Sequence, residues 1–280
     1  MKFWKMNGAG NDFIILDNRS GLIPEDAYSE LAHTLCERHM SIGADGMMLV
    51  LPAQAGGDYA MRFFNSDGSL GEMCGNGARC ICRYGYETGL AGEIQRVETT
   101  AGLVSGYRID RSNYRIRLND PSIIDLDRGV TVQGREYHLS YIELGNPGIP
   151  HAVVAFPGLR EADEAALRTL GSSLRFHPSF PKGANVNFYD LIGQDCVYIR
   201  TFERGVEDFT YACGTGTGST ALFLAMKGLT GPNITAEMRG GTLKIDVEFE
   251  HNAVNNLWLT GPTNIVAKGE ITDENIKLDF

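Results

Sequence analysis

Met73-Cys74-Gly75-Asn76-Gly77 and Ala212-Cys213-Gly214-Thr215-Gly216 decide the reading of this chain, because each sets one cysteine beside glycines directly ahead of a helical run. The first run continues from Ala78 to Thr88 and closes at Gly89; the second continues from Thr217 to Lys227 and closes at Gly228. The cysteines stand 139 residues apart, half the chain. Other landmarks keep that spacing. Gly183-Ala184-Asn185 follows Gly43-Ala44-Asp45 by 140, Gly241 follows Gly102 by 139 ahead of a strand, and Pro262 follows Pro121 by 141. A constant offset along a chain is the mark of a repeated unit, here one of domain size.

Two similar halves are therefore expected, 1–120 joined by the returning segment 264–280, and 121–263. The fold class is α+β: each half a mostly antiparallel, barrel-like sheet around a central helix that starts just after its cysteine. Facing each other across a pseudo-two-fold axis, the halves would bring both cysteines and both helix starts to one active-site cleft. The strands read as Lys2 to Met6 and Phe13 to Leu16 in a hairpin, Met47 to Leu51, Tyr59 to Phe64, then short runs at 96–100, 103–109, 114–118, 130–132 and 137–143, with another at 152–156. Amphipathic helices are expected from Pro24 to about His39 and around Ala162 to Leu170.

The composition narrows the function classes. With 280 residues, 43% hydrophobic and 21% charged, the chain is that of a soluble globular protein. A net charge of −10 argues against nucleic acid and anionic membranes as partners. No run is apolar enough to span a bilayer and the first residues lack a signal-peptide core, so a cytoplasmic protein is expected. In that setting Cys36, Cys74, Cys80, Cys82, Cys196 and Cys213 read as thiols rather than a disulfide framework. Cys74, Cys80 and Cys82 lack the paired spacing of a zinc site, and Gly214 to Thr220 lacks the lysine of a phosphate loop. No metal is expected.

A helix N-terminus carries unpaired N–H groups and partial positive charge, so it favours an anion and stabilises a thiolate. Two such ends meeting at one point suit a carboxylate flanked by two thiols. That arrangement can take a proton from one face of the carbon beside the carboxylate and deliver another to the opposite face, one cysteine as base and the other as acid. The weakly acidic α-proton requires preorganised donors for the developing charge, which the helix ends supply. No cofactor is needed in principle.

Lys5-Met6-x-Gly8-x-Gly10-Asn11-Asp12-Phe13, Gly43-Ala44-Asp45-Gly46, Asn65-x-Asp67-Gly68-Ser69, Cys74-Gly75-Asn76-Gly77-x-Arg79-Cys80, Glu203-Arg204-Gly205-Val206 and Ala212-Cys213-Gly214-Thr215-Gly216 resemble the motifs of the diaminopimelate epimerases over nearly the whole chain. The resemblance implies a pyridoxal-phosphate-independent enzyme, a homodimer, that interconverts LL- and meso-diaminopimelate for lysine and peptidoglycan precursors. It implies catalytic roles for Cys74 and Cys213, with His151 and Glu203 beside them. By the same motifs Gly75-Asn76 and Gly214-Thr215 hold the reacting carboxylate, while Asn11, Asn65, Asn185, Glu203 and Arg204 contact the substrate, mostly at its distal end. One place departs from the pattern: where Gly-Asn-Pro-His is usual, the chain has Gly145-Asn146-Pro147-Gly148-Ile149-Pro150-His151. Ile149 then stands where an asparagine would touch the distal end, or else the histidine is displaced. A racemase of another amino acid on the same scaffold is the alternative enzyme; a non-catalytic protein that binds small anions is the alternative of another class.

Overall fold

The computed structural model describes residues 1–71, 74–251, 253–272 and 276. Met73 of the first cysteine stretch, and 273–275 and 277–280 of the returning segment, lie outside the described residues. The chain forms two compact units, Met1–Ile116 with the segment from Gly261, and Arg117–Thr260. Strands dominate, and the described residues hold four α-helices, α1 (Tyr28–Cys36), α2 (Gly75–Glu87), α3 (Glu164–Arg175) and α4 (Gly214–Met226). Among the described residues no helix is long and apolar enough to cross a membrane.

In the first unit the hairpin Lys2–Gly8/Asn11–Asp17 pairs on one side with Asn264–Glu270 and on the other, in parallel, with Gly46–Leu51, to which α1 is the crossover. Gly46–Leu51 runs antiparallel to Tyr59–Asn65. That strand is parallel to Ile94–Thr99 after a crossover through α2, and Gly102–Arg108 and Asn113–Arg117 complete the meander. Asn11–Asp17 is buried on both faces. Ile14 and Leu16 pack with Leu31 and Leu35 of α1, and the alternation of a strand turns Phe13 and Ile15 the other way. Helix α2 is buried along all of Gly75 to Gly85.

The second unit repeats this plan. The hairpin Arg135–Leu144/Ile149–Ala155 pairs with Pro121–Val132 on one side and, in parallel through α3, with Asn185–Gly193 on the other. Cys196–Glu203 follows antiparallel, Asn233–Met238 lies parallel to it after the α4 crossover, and Gly241–Glu250 and Ala253–Pro262 form the closing meander. Each half thus makes one parallel crossover through an outer helix and one through the helix that follows its cysteine, which is the duplication expected from the 139-residue offset.

Among the boundaries that differ from the sequence reading, three have a local explanation. Helix α1 stops at Cys36 rather than near His39: Glu37 is extended, His39 has φ 75°, and Gly43 at φ 72° returns its N–H to the Leu35 carbonyl. Helix α3 begins where the Asp163 carboxylate accepts from Ala166 N at 2.8 Å, and it continues five residues past Leu170 to Arg175. The run expected at 130–132 is the end of a twelve-residue strand from Pro121. Its first part escapes a period-two reading because Ile123 and Ile124 are adjacent and both about two-fifths exposed.

Candidate active site

Cys74 is the N-cap of α2, in an extended conformation (φ −121°, ψ 115°), and its Sγ accepts from the N–H of Gly77 at 3.4 Å. Sulfur here takes the place of the usual cap oxygen, and a thiolate accepts better than a thiol, so the cap itself favours the charged form. A Cβ on Gly77 would lie 3.2 Å from Met48 Cε and 3.5 Å from Cys74 Cβ, so the glycine keeps this turn tight.

A chain of amides runs outward from that turn. Arg79, fully buried, donates from Nη1 to the Gly75 carbonyl at 3.1 Å and from Nη2 to Asn76 Oδ1 at 2.7 Å. Asn76 Nδ2 donates to Asn11 Oδ1 at 2.6 Å, and Asn11 Nδ2 to Asp45 Oδ2 at 3.1 Å. Because a guanidinium only donates, it fixes which way both amides point. Asn65 stands at the end of its strand, exposed, with Nδ2 on Ser69 Oγ at 3.0 Å; Ser66 N donates to the Asp45 carbonyl at 3.1 Å. The first unit therefore brings Asn11, Asn76 and the Cys74 helix start together, with Asn65 on the loop beside Asp45.

In the second unit Cys213 caps α4 in nearly the same conformation (φ −114°, ψ 112°), its Sγ 3.6 Å from Thr215 Oγ1. Thr217 donates both N–H (2.9 Å) and Oγ1–H (2.7 Å) to the Cys213 carbonyl, locking the first turn. Behind the turn lies a buried network. Asn187 Nδ2 is 3.2 Å from His151 Nδ1, and Thr201 Oγ1 donates to Asn187 Oδ1 at 2.9 Å. With the amide nitrogen on Nδ1, that ring atom is an acceptor, so the imidazole proton is on Nε2, which has no hydrogen-bond partner among the described residues. Burial, assisted by the charge of Arg204, pushes His151 down to about 3, so the ring is neutral.

Asn185, Glu203 and Arg204 meet at one end of these strands. Asn185 Oδ1 accepts from Arg204 N at 2.8 Å and its Nδ2 donates to the Pro150 carbonyl at 3.2 Å; Glu203 Oε2 accepts from Thr210 Oγ1 at 2.8 Å. Arg204 Nη1 donates to the Lys182 carbonyl at 3.0 Å and the guanidinium stays half-buried. In the departing segment, His151 occupies a strand position opposite Asn185, Ile149 lies opposite Leu144, and Asn146 sits in the exposed turn. The turn packs against the buried carboxylate of Glu143, held by Tyr141 Oη at 2.6 Å and Lys182 Nζ at 2.8 Å; a Cβ on Gly148 would fall 2.4 Å from it.

Sequence reading missed Asn187 and Thr201, and it quoted Asp45 and Arg79 without giving them roles. A signal existed for Asn187: Asn185-Val186-Asn187-Phe188 puts amides at i and i+2 of an otherwise apolar buried strand, hence on one face. Gly216 joins the network to Cys213, since a Cβ there would come within 2.1 Å of Asn187 Oδ1 and 3.3 Å of Cys213 Sγ. Gly216→Ala is therefore expected to displace Asn187 and to cost about 1–3 kcal/mol of stability by overpacking. Urea unfolding checks this, and an unchanged midpoint would mean that the turn relaxes freely.

The fold has solved counterparts. A probable proline racemase from Agrobacterium radiobacter with bound carbonate superposes at a TM-score of 0.70 with 18% identity, covering 96% of this chain and 92% of that one. A phenazine biosynthesis protein of the PhzF family from Bacillus anthracis gives 0.72 at 15% identity, covering 97% and 98%. Those likenesses establish the architecture; the family and relatives that follow place the chain among the isomerases, as an amino acid epimerase. The family model described as diaminopimelate epimerase matches residues 3–119 and 144–266. Diaminopimelate epimerases from Aquifex aeolicus and Methanothrix thermoacetophila are each 36% identical over 98% of this chain, covering 99% and 97% of their own lengths. The chain belongs to the diaminopimelate epimerase family.

Proposed function

We propose that the protein interconverts LL- and meso-diaminopimelate, in the supply of lysine and peptidoglycan precursors, with Cys74 and Cys213 as the two proton-transfer groups. The observation that carries this is the matched pair of helix starts, each capped by a cysteine of the same backbone conformation and each opened by glycine. On this reading the N–H groups of Gly75-Asn76 and Gly214-Thr215 receive the substrate carboxylate, and the two sulfurs act on its α-carbon. The thiolate on one side removes the α-proton, the carboxylate takes up the developing charge against both helix ends, and the thiol opposite returns a proton with inversion. The neutral His151, fixed by Asn187, and Glu203 act near the cysteines, and Asn11, Asn65, Asn185 and Arg204 read the distal amino acid group.

A panel of purified amino acids followed by chiral chromatography tests the assignment. Diaminopimelate is expected to epimerise far faster than alanine, glutamate, proline or lysine; equal or faster turnover of one lacking the distal amino acid end would remove it. Ile149 at the strand end and Asn146 in the exposed turn favour the second reading, a racemase of another amino acid, and that outcome would establish it.

Arg204→Lys separates distal recognition from chemistry. A lysine is a point charge and cannot make the two parallel bonds of a guanidinium to a carboxylate. KM for diaminopimelate is expected to rise by about tenfold or more, the equivalent of about 1.4 kcal/mol, with kcat changed less. An unchanged KM would show that the distal carboxylate is bound elsewhere.

A further inference from the structure

The two helix starts match in backbone and differ in charge. Five residues past Cys74 is Arg79; five residues past Cys213 is Gly218. Arg79 is fully buried, has no carboxylate partner among the described residues, and leaves Nε without a hydrogen-bond partner. Its two bonds go to Gly75 and Asn76, the first residues after Cys74. A lone buried guanidinium is costly, and burial pulls Arg79 down to about 10, opposed by the thiols of Cys80, Cys74 and Cys82. A negative charge on a nearby thiol would repay that cost. At the other helix start Gly218 packs its backbone against Leu118 and Leu257, and Thr217, Ser219 and Thr220 are buried neutral hydroxyls.

We propose that Arg79 is a positioning residue that makes Cys74, rather than Cys213, the thiolate of the resting protein. The proposal rests on the reading of both cysteines as proton-transfer groups.

The other charges around α2 do not supply this bias. Lys5 and Arg38 are balanced by Asp12 and Asp45, with Lys5–Asp12 at 2.9 Å, Arg38–Asp12 at 2.7 Å and Arg38–Asp45 at 2.8 Å. Arg83 donates to the Thr263 carbonyl at 2.7 Å and pairs with Glu87, and Arg108 pairs with Glu93. On the helix itself, Cys80 and Cys82 are pushed up to about 12 by burial, which outweighs the same arginine. Cys74 is only half-buried, so it feels the arginine with a smaller desolvation cost. Around α4 the packed strands bring neutral His151, the Glu143–Lys182 pair, exposed Lys244 and half-buried Asp246, with Glu203 adding negative charge at the strand end. None of these is a buried uncompensated cation.

Alkylation by iodoacetamide as a function of pH, resolved at each cysteine by mass spectrometry and done without substrate, tests the proposal. The midpoint is the readout, because access to Cys213, 7% exposed, scales its rate without moving its midpoint. In the unsubstituted protein the Cys74 midpoint should lie below the ordinary free-thiol value of about 8.5 and at least one pH unit below that of Cys213. Arg79→Gln, which keeps a donor for Asn76 and loses the charge, should raise the Cys74 midpoint by one unit or more and leave Cys213 unmoved; Arg79→Lys should restore it. Equal midpoints at the two cysteines, or a Cys74 midpoint that ignores Arg79→Gln, overturns the proposal. If Arg79→Gln does not fold, the comparison of the two cysteines in the unsubstituted protein decides alone. Because no substrate is present, failure of the epimerase assay and failure of this charge asymmetry are separate results.

Discussion

Cys74→Ser and Cys213→Ser are each expected to lower kcat/KM for epimerisation on the order of 10²- to 10⁴-fold, the range a positioned proton-transfer group supplies. Serine keeps the size of the side chain and can still cap the helix, so the fold should persist. What is lost is a group that ionises near neutral pH: a hydroxyl is a far weaker acid than a thiol and cannot hold the charge that the helix end offers. The loss should appear in both directions of the reaction, since each cysteine is base in one and acid in the other. Circular dichroism and chiral product analysis check both halves of the expectation. A variant with the far-UV spectrum and the full rate of the unsubstituted protein would remove its cysteine from the mechanism.

The second large effect is on stability in acid. His151 is wholly buried and held down to about 3 by burial first and by Arg204 second, against an ordinary value of 6.5. A histidine whose folded-state value is depressed stays neutral in the folded chain while the unfolded chain takes up a proton. Its contribution to stability is therefore complete above pH 6.5 and falls progressively as pH drops toward 3. Between pH 7 and pH 4 that linkage amounts to about 3 kcal/mol. Buried or paired carboxylates such as Asp12 and Glu143 also titrate in acid, so the quantity to read is the difference between the unsubstituted protein and His151→Gln. Glutamine fills much of the site and does not titrate; relative to it, the unsubstituted protein should lose about 3 kcal/mol of urea stability over that interval. A difference that does not vary with pH would mean that His151 is protonated, or relaxes to solvent, in the folded chain.

The duplicated plan was legible because its signals are local: glycines beside cysteines, helical runs closed by Gly89 and Gly228, and landmarks at one offset. The two helix starts follow from the same residues, since N-caps and first turns are short-range features. Less legible was whatever depends on partners far along the chain. Asn187 has its role only because His151 and Thr201 come from neighbouring strands and Gly216 from a helix start, a juxtaposition of four separate segments. Arg79 stands in the sequence as a motif residue without a role of its own; complete burial with no carboxylate partner among the described residues sets it apart. The place of His151 within Gly145 to His151 came from strand register opposite Asn185, which spacing alone left open between two anchors.

Deuterium tracing most directly tests the central claim that one group removes the α-proton and a separate group delivers another to the opposite face. A single diaminopimelate stereoisomer is incubated with the enzyme in D₂O, stopped early, and the recovered substrate and the product are analysed separately. The two-cysteine account predicts solvent deuterium at the inverted α-carbon of the product, with the recovered substrate still carrying protium, because the base that removes the proton is not the acid that delivers one. Deuterium appearing equally in recovered substrate and product would show a single exchanging base and contradict the account.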